Sequence, residues 1–231
     1  MRTLMNQLRP LHHFLARHGL YAVSVSTLLA VSLLAGRMAY SRSVMFGFLL
    51  WNLILAWLPY FFGLWAAHLH QRYPRRWWAI LLPGGLWLVF FPNAPYILTD
   101  FLHLASRAPI PLWYDTGLLA SFAWTGLFLG IYSLRAMQTL VADYLGRAAS
   151  WLFVLTVVGL SGLGIYLGRF LRWNSWDLLF HPRQIFADVA LRLTDPLAHP
   201  GAVGVTVLFS AFLLVCYLTL TAVPSPESLR G

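Results

Sequence analysis

Six stretches of nearly uninterrupted apolar residues, each closed by arginine, proline or a small polar cluster, leave this chain few ways to fold. They run near 20–36, 44–67, 77–98, 116–134, 151–168 and 202–223. Each approaches the roughly 20 apolar residues that a helix needs to cross a hydrocarbon core. Backbone in lipid has no water to satisfy its amides, so the spans are expected as α-helices. With 231 residues in all, six spans and their connections use nearly the whole length. The expectation is a single all-α, polytopic transmembrane domain over 1–231, with no second domain of ordinary size.

Charge placement agrees with a bilayer. Charged residues are 10% of the chain and the formal net charge is +9. A basic nucleic-acid binder gathers its charge on one solvated patch, whereas here the arginines sit in the gaps between apolar runs. That placement excludes nucleic acid and makes membrane lipids the expected partners. The side holding the N-terminus has nine arginines, Arg2, Arg9, Arg17, Arg72, Arg75, Arg76, Arg135, Arg147 and Arg230. The other has seven, Arg37, Arg42, Arg107, Arg169, Arg172, Arg183 and Arg192. The excess favours both termini in the cytoplasm. His12, His13, His18, His68 and His70 lie beside the arginine-rich ends, at headgroup level. The first run follows basic residues as in a signal peptide, yet ends in Gly36-Arg37-Met38 without a small-x-small site, so it reads as an uncleaved span. Cys216, the single cysteine, lies in the last run, so no intrachain disulfide can form.

The third run is unusual. From Trp78 to Phe91 it would span only about 21 Å as a helix before Pro92-Asn93-Ala94-Pro95 interrupts it. Two prolines remove two backbone donors and disfavour helix for the residues preceding them. Asn93 suits the cap of a second short helix through Tyr96 to Leu104. The expectation is a helix broken at Pro92–Pro95 inside the membrane, tolerated where protein or a wet cavity satisfies the freed groups. The plainer alternative is a span that ends early at a proline turn. Between the fifth and sixth runs, residues 184–194 put Ile185, Phe186, Val189, Ala190 and Leu193 on one face and Asp188 and Arg192 on another, the pattern of an interfacial helix. Gly162, Gly164 and Gly168 offer small-residue spacing for close helix packing.

Runs three and five cross in the same direction, so their far ends share one membrane face. That parity gathers Asn93, Asp100, His103, Asp115, Arg169, Arg172, Asn174 and Asp177, with Asn52 beside them. Asp100 and His103, three apart, are the candidates for general acid and base. Arg169, Arg172 and Asn174 are the candidates for holding an anion, the two guanidinium forks suiting phosphate or carboxylate. Asn93, Asp115 and Asp177 are supporting polar groups. Three readings stand: ion pairs that lock spans three and five together, an anion or lipid-phosphate site, and part of a metal shell. Asp-x-x-His alone assigns no metal, and no G-x-S-x-G, Walker or H-E-x-x-H pattern occurs. The sequence therefore names no cofactor and no reaction. A transporter would need polar residues through its full depth, and here they gather toward one face.

The strings F-F-P-N-A-P-Y-I-L-T-D-F-L-H-L (90–104), P-L-W-Y-D (111–115), S-F-A-W-T-G (121–126) and G-I-Y-L-G-R-F-L-R-W-N-S-W-D (164–177) resemble a bacterial membrane-protein family catalogued as domain of unknown function 1361. The resemblance runs from about Trp51 into the last span. It implies a polytopic bacterial inner-membrane protein and assigns no role to any residue.

Overall fold

The computed structural model describes residues 12, 14–16, 18–106 and 108–222. Arg2, Arg9, Arg17, Arg107 and Arg230, which entered the charge count, and His13 lie outside the described residues. Among the described residues the elements are all helical: α1 (Leu20–Ser41), α2 (Phe48–Arg72), a 3₁₀ turn (Trp77–Ile80), α3 (Leu81–Phe90), α4 (Asn93–Tyr96), a 3₁₀ segment (Ile97–His103), α5 (Leu112–Leu145), α6 (Arg147–Phe170), α7 (Asp177–Phe180), α8 (Pro182–Thr194) and α9 (Pro200–Thr221). Six segments are long and apolar enough to cross a membrane: Leu20–Ser41, Phe48–Arg72, Trp77–His103, Leu112–Leu145, Arg147–Phe170 and Pro200–Thr221. The chain is a multi-pass, all-α membrane protein. It divides into two compact units, Met1–Leu140 and Val141–Gly231, the division falling within α5.

Several spans are longer than their apolar runs. α1 continues past Arg37 to Ser41, and α5 extends over 34 residues, about 51 Å at 1.5 Å per residue against a hydrocarbon core of about 30 Å. A helix that long reaches the headgroup region, where Arg135 and Asp143 keep access to water.

In the first unit the core joins Leu34 of α1, Leu49, Leu53 and Tyr60 of α2, Ala94 and Ile97, and Leu118, Phe122 and Leu129 of α5. The third span changes geometry at its prolines, as expected, but not as an unwound gap. Phe91 (φ −55°, ψ −40°) and Pro92 (φ −59°, ψ −23°) both keep right-handed helical dihedrals. What changes is the hydrogen bonding. The Ala94 amide donates to Phe91 O at 3.1 Å, not to Phe90 O, its partner in a regular α-helix. Asn93 fills the vacancy: its Nδ2 donates to Phe90 O at 2.9 Å. Asn93 is itself the first residue of the following helix, and Pro92 stands in the cap position. The capping role expected of Asn93 is therefore corrected to repair of a freed carbonyl, the service a membrane span requires where its ladder breaks.

The α4 segment also needs room. A Cβ on Gly126 of α5 would lie 2.5 Å from the Ala94 carbonyl oxygen and 3.0 Å from Ile97 Cδ1. Gly126 thus lets α5 approach the irregular backbone closely.

In the second unit α6 packs along α9. A Cβ on Gly162 would collide with the Ser210 side chain and the Thr206 carbonyl, and Ser210 Oγ donates to Val158 O at 3.1 Å. Gly162 accordingly serves close packing, as its spacing suggested.

Gly126→Ala is expected to lower stability by about 1–3 kcal/mol, since the clash is with backbone that cannot rotate away. Gly117→Ala, on the same helix with nothing within 4 Å, is expected to be neutral or to stabilise by roughly 0.5–1 kcal/mol. Thermal unfolding in detergent distinguishes the two variants, and equal effects would contradict the packing described.

Candidate functional site

The strongest polar interaction in the first unit joins the end of α1 to the start of α5. Arg37 Nε donates to Asp115 Oδ1 at 2.6 Å and its Nη2 donates to Asp115 Oδ2 at 3.0 Å. Both side chains are almost wholly buried, at 3% and 1% exposure. The fork-to-carboxylate match is the one that best offsets desolvation of both charges. Phe46, itself buried, closes over the guanidinium at 4.2 Å from the ring centroid. Beside this pair Tyr114 Oη donates to Leu33 O at 2.8 Å, so two consecutive residues of α5 grip one stretch of α1.

Asp100 lies in the 3₁₀ segment after α4, 1% exposed, where Asn52 Nδ2 of α2 donates to its Oδ2 at 2.8 Å. His103 shares its side of the 3₁₀ segment, because residues three apart eclipse there. The two differ in environment: His103 is exposed and lies edge-on to the Phe48 ring, with centroids 5.0 Å apart.

In the second unit α6 ends at Phe170, with Arg169, half-buried, in its last turn. The Leu167 carbonyl then accepts from both the Leu171 amide, at 3.2 Å, and the Trp173 amide, at 3.1 Å. The turn that allows this puts Arg172 in the left-handed region, φ 62°, where glycine or asparagine is the ordinary occupant. Arg172 is exposed. The acidic groups nearby in sequence are engaged. Asp177 Oδ2 accepts from the Asn174 amide at 2.7 Å and from Asn174 Nδ2 at 3.3 Å, the backward reach of a capping box, and its Oδ1 lies 3.9 Å from His181 Nδ1. Asp188 Oδ2 accepts from Trp173 Nε1 at 2.8 Å and its Oδ1 from Arg192 Nη1 at 3.1 Å. The Arg192 guanidinium is held above its usual range, first by a hydrogen bond with Tyr166, against the opposing effect of burial, and then by Asp188. A raised pKa in a cation adds stability below the unfolded value and loses it only as pH rises through the folded one. For an arginine that window lies beyond working pH, so this contact is constant in use.

The eight expected site residues thus divide between the units. Asn93, Asp100, His103 and Asp115 belong to the first, and Arg169, Arg172, Asn174 and Asp177 to the second. Two expectations need correction. The three-residue spacing of Arg169 and Arg172 suits one face of a helix, but they do not share one, because the helix ends between them and Arg172 has a left-handed backbone. Asp115 is not a supporting group of an open cluster, since Arg37 takes both its oxygens. Arg37 itself is the residue missed. It had been read as the boundary of the first span, although the apolar Met38, Ala39 and Tyr40 that follow it, and the lone acid of W-Y-D at the same end by parity, were both visible. Among the described residues no group of three or more His, Cys, Asp or Glu side chains is arranged to hold a metal ion.

The family model described as "Protein of unknown function (DUF1361)" matches residues 51–216, and the chain belongs to this family. No curated protein and no solved structure matches it.

Removing one partner of the buried pair leaves the other charge uncompensated, at a cost of about 3–5 kcal/mol, while replacing both with apolar residues of similar volume is close to neutral. Arg37→Met and Asp115→Leu are therefore each expected to lower the unfolding temperature sharply, and the double variant to recover most of the loss. Additive losses in a double-mutant cycle would contradict the pairing.

Proposed function

Within this family, we propose that the chain recognises an anionic, phosphate-bearing lipid or lipid-linked molecule at the end of α6, on the non-cytoplasmic face of a bacterial inner membrane, with both termini in the cytoplasm. One observation carries the reading. Arg172 stands exposed in a backbone conformation that costs a residue with a Cβ roughly 1–2 kcal/mol, while Asp177 and Asp188 are engaged elsewhere. The left-handed turn that ends α6, in which the Leu167 carbonyl accepts two amides, leaves the Arg172 guanidinium solvated just beyond the last helical turn. A phosphate oxygen pair is the partner such a fork fits best. Trp173 and Trp176 follow at once, the residues that favour headgroup level. Arg169, one turn back on α6, adds a second cation, and the exposed Asn174 flanks the turn.

The polar residues of the first unit favour a different role. Arg37 with Asp115 and Asn52 with Asp100 each tie separate helices together, so locking the spans is the reading we attach to them. No proton transfer is assigned to Asp100 and His103.

The natural test uses the strained backbone. Arg172→Gly removes the guanidinium and relieves the left-handed strain together, so the variant is expected to be at least as stable as the parent. Its affinity for phosphatidylglycerol in native mass spectrometry is expected to fall roughly fivefold, the loss of about 1 kcal/mol of cation–headgroup attraction. A parallel titration with inorganic phosphate separates a headgroup requirement from simple anion capture. Unchanged lipid retention in the folded variant would overturn the proposal.

A further inference from the structure

The helix α8 is turned inside out for a helix in water. Two of its three charged residues face the protein: Asp188 and Arg192 are 32% and 12% exposed, tied to Trp173 by the indole hydrogen bond and to α6 through the Tyr166 ring, 5.8 Å from the Arg192 guanidinium. Ile185 shares that side and is buried. The opposite sector presents Phe186, 65% exposed, with the exposed Ala190 one turn on. Phe180 before the helix and Leu197 after it are more exposed still, at 73% and 91%. An amphipathic helix at a water boundary does the reverse, showing charge and hiding phenylalanine. Leaving a Phe in water forgoes roughly 1.5–3 kcal/mol of burial, and drawing an ion pair inward adds desolvation. Both costs vanish when the medium outside the helix is apolar.

The connections restrict which apolar medium that is. Candidate spans flank α8, with α6 ending at Phe170 and α9 beginning at Pro200. Only the five residues 195–199 separate α8 from α9, a reach of at most about 18 Å. The helix is therefore held near the end of the last span, at the membrane surface.

We propose that α8 docks onto the bilayer itself, lying along the surface with Phe186 and Ala190 set into the boundary between headgroups and acyl chains. Asp188 and Arg192 are the anchors that hold its other side on α6. Arg183, exposed and adjacent to the Phe186 sector, reaches outward to headgroup level. This docking is independent of the headgroup reading of Arg172, because it requires only an apolar interface and no anionic lipid.

The test places a nitroxide at Phe186→Cys, at Ala190→Cys and, on the far side of the helix, at Gln184→Cys, each in the full chain carrying Cys216→Ser. The protein is reconstituted in phosphatidylcholine vesicles, and collision with oxygen is compared with collision with a water-soluble nickel chelate. Sites 186 and 190 are expected to favour oxygen severalfold more than site 184 does. Equal ratios at 184 and 186 would place the helix in water and overturn the proposal. Exclusion of both reagents at 186, with dipolar broadening that fades on dilution with unlabelled protein, would overturn it in favour of a second copy of the chain.

Discussion

A charge withdrawn from water must meet an opposite charge or a full set of hydrogen bonds, and in a bilayer-spanning chain that demand decides which helices can stand together. Arg37 and Asp115 meet it as a bidentate pair with both side chains nearly wholly buried. Because the guanidinium lies close to the end of α1 and the carboxylate close to the start of α5, the pair sets the register between the two helices. Tyr114 on Leu33 O and Phe46 over the guanidinium reinforce that register. Backbone obeys the same rule as side chains. Where the prolines break the ladder of the third span, the Asn93 amide supplies the missing donor, and Gly126 admits the resulting bulk against α5.

The rule has a consequence for the remaining charges. The chain carries 16 Lys and Arg residues, all arginine, against 7 Asp and Glu. Asp100, Asp115, Asp177 and Asp188 each accept a hydrogen bond from a neighbouring side chain. Carboxylates committed inside the fold leave an excess of guanidinium groups for water and for anions brought from outside. Arg172 belongs to that excess, exposed in the left-handed turn that ends α6. In the same unit α8 holds Asp188 and Arg192 toward the protein and leaves Phe186 exposed.

Much of this was legible in the residues. Runs of apolar sequence marked all six spans, because length and hydropathy are sufficient where the solvent is hydrocarbon. Pro92 and Pro95 announced the change in the third span, and Gly162 the close approach of α6 to α9. Other features were not legible for physical reasons. Arg37 looked like a boundary marker because a charge normally ends a span, and only its partner, 78 positions away, makes burial affordable. Asn93 fitted two roles equally well by type, and the choice depended on which carbonyl the break released. The left-handed backbone of Arg172 leaves no sign in sequence, since the usual sign is a glycine. Periodicity grouped Ile185 with Phe186 on one face of α8, whereas the structure buries Ile185 and leaves Phe186 exposed, because periodicity carries no information on which side meets the protein.

The most direct test of the proposed headgroup site is to observe the contact itself. Arginine-labelled protein in phosphatidylglycerol bilayers, measured by solid-state dipolar recoupling between guanidinium carbon and lipid phosphorus, reports which arginines lie within contact distance of a phosphate. The account predicts a recoupled population that disappears in Arg172→Gly while the rest of the arginine spectrum stays in place. An identical recoupled population in the two proteins would contradict it.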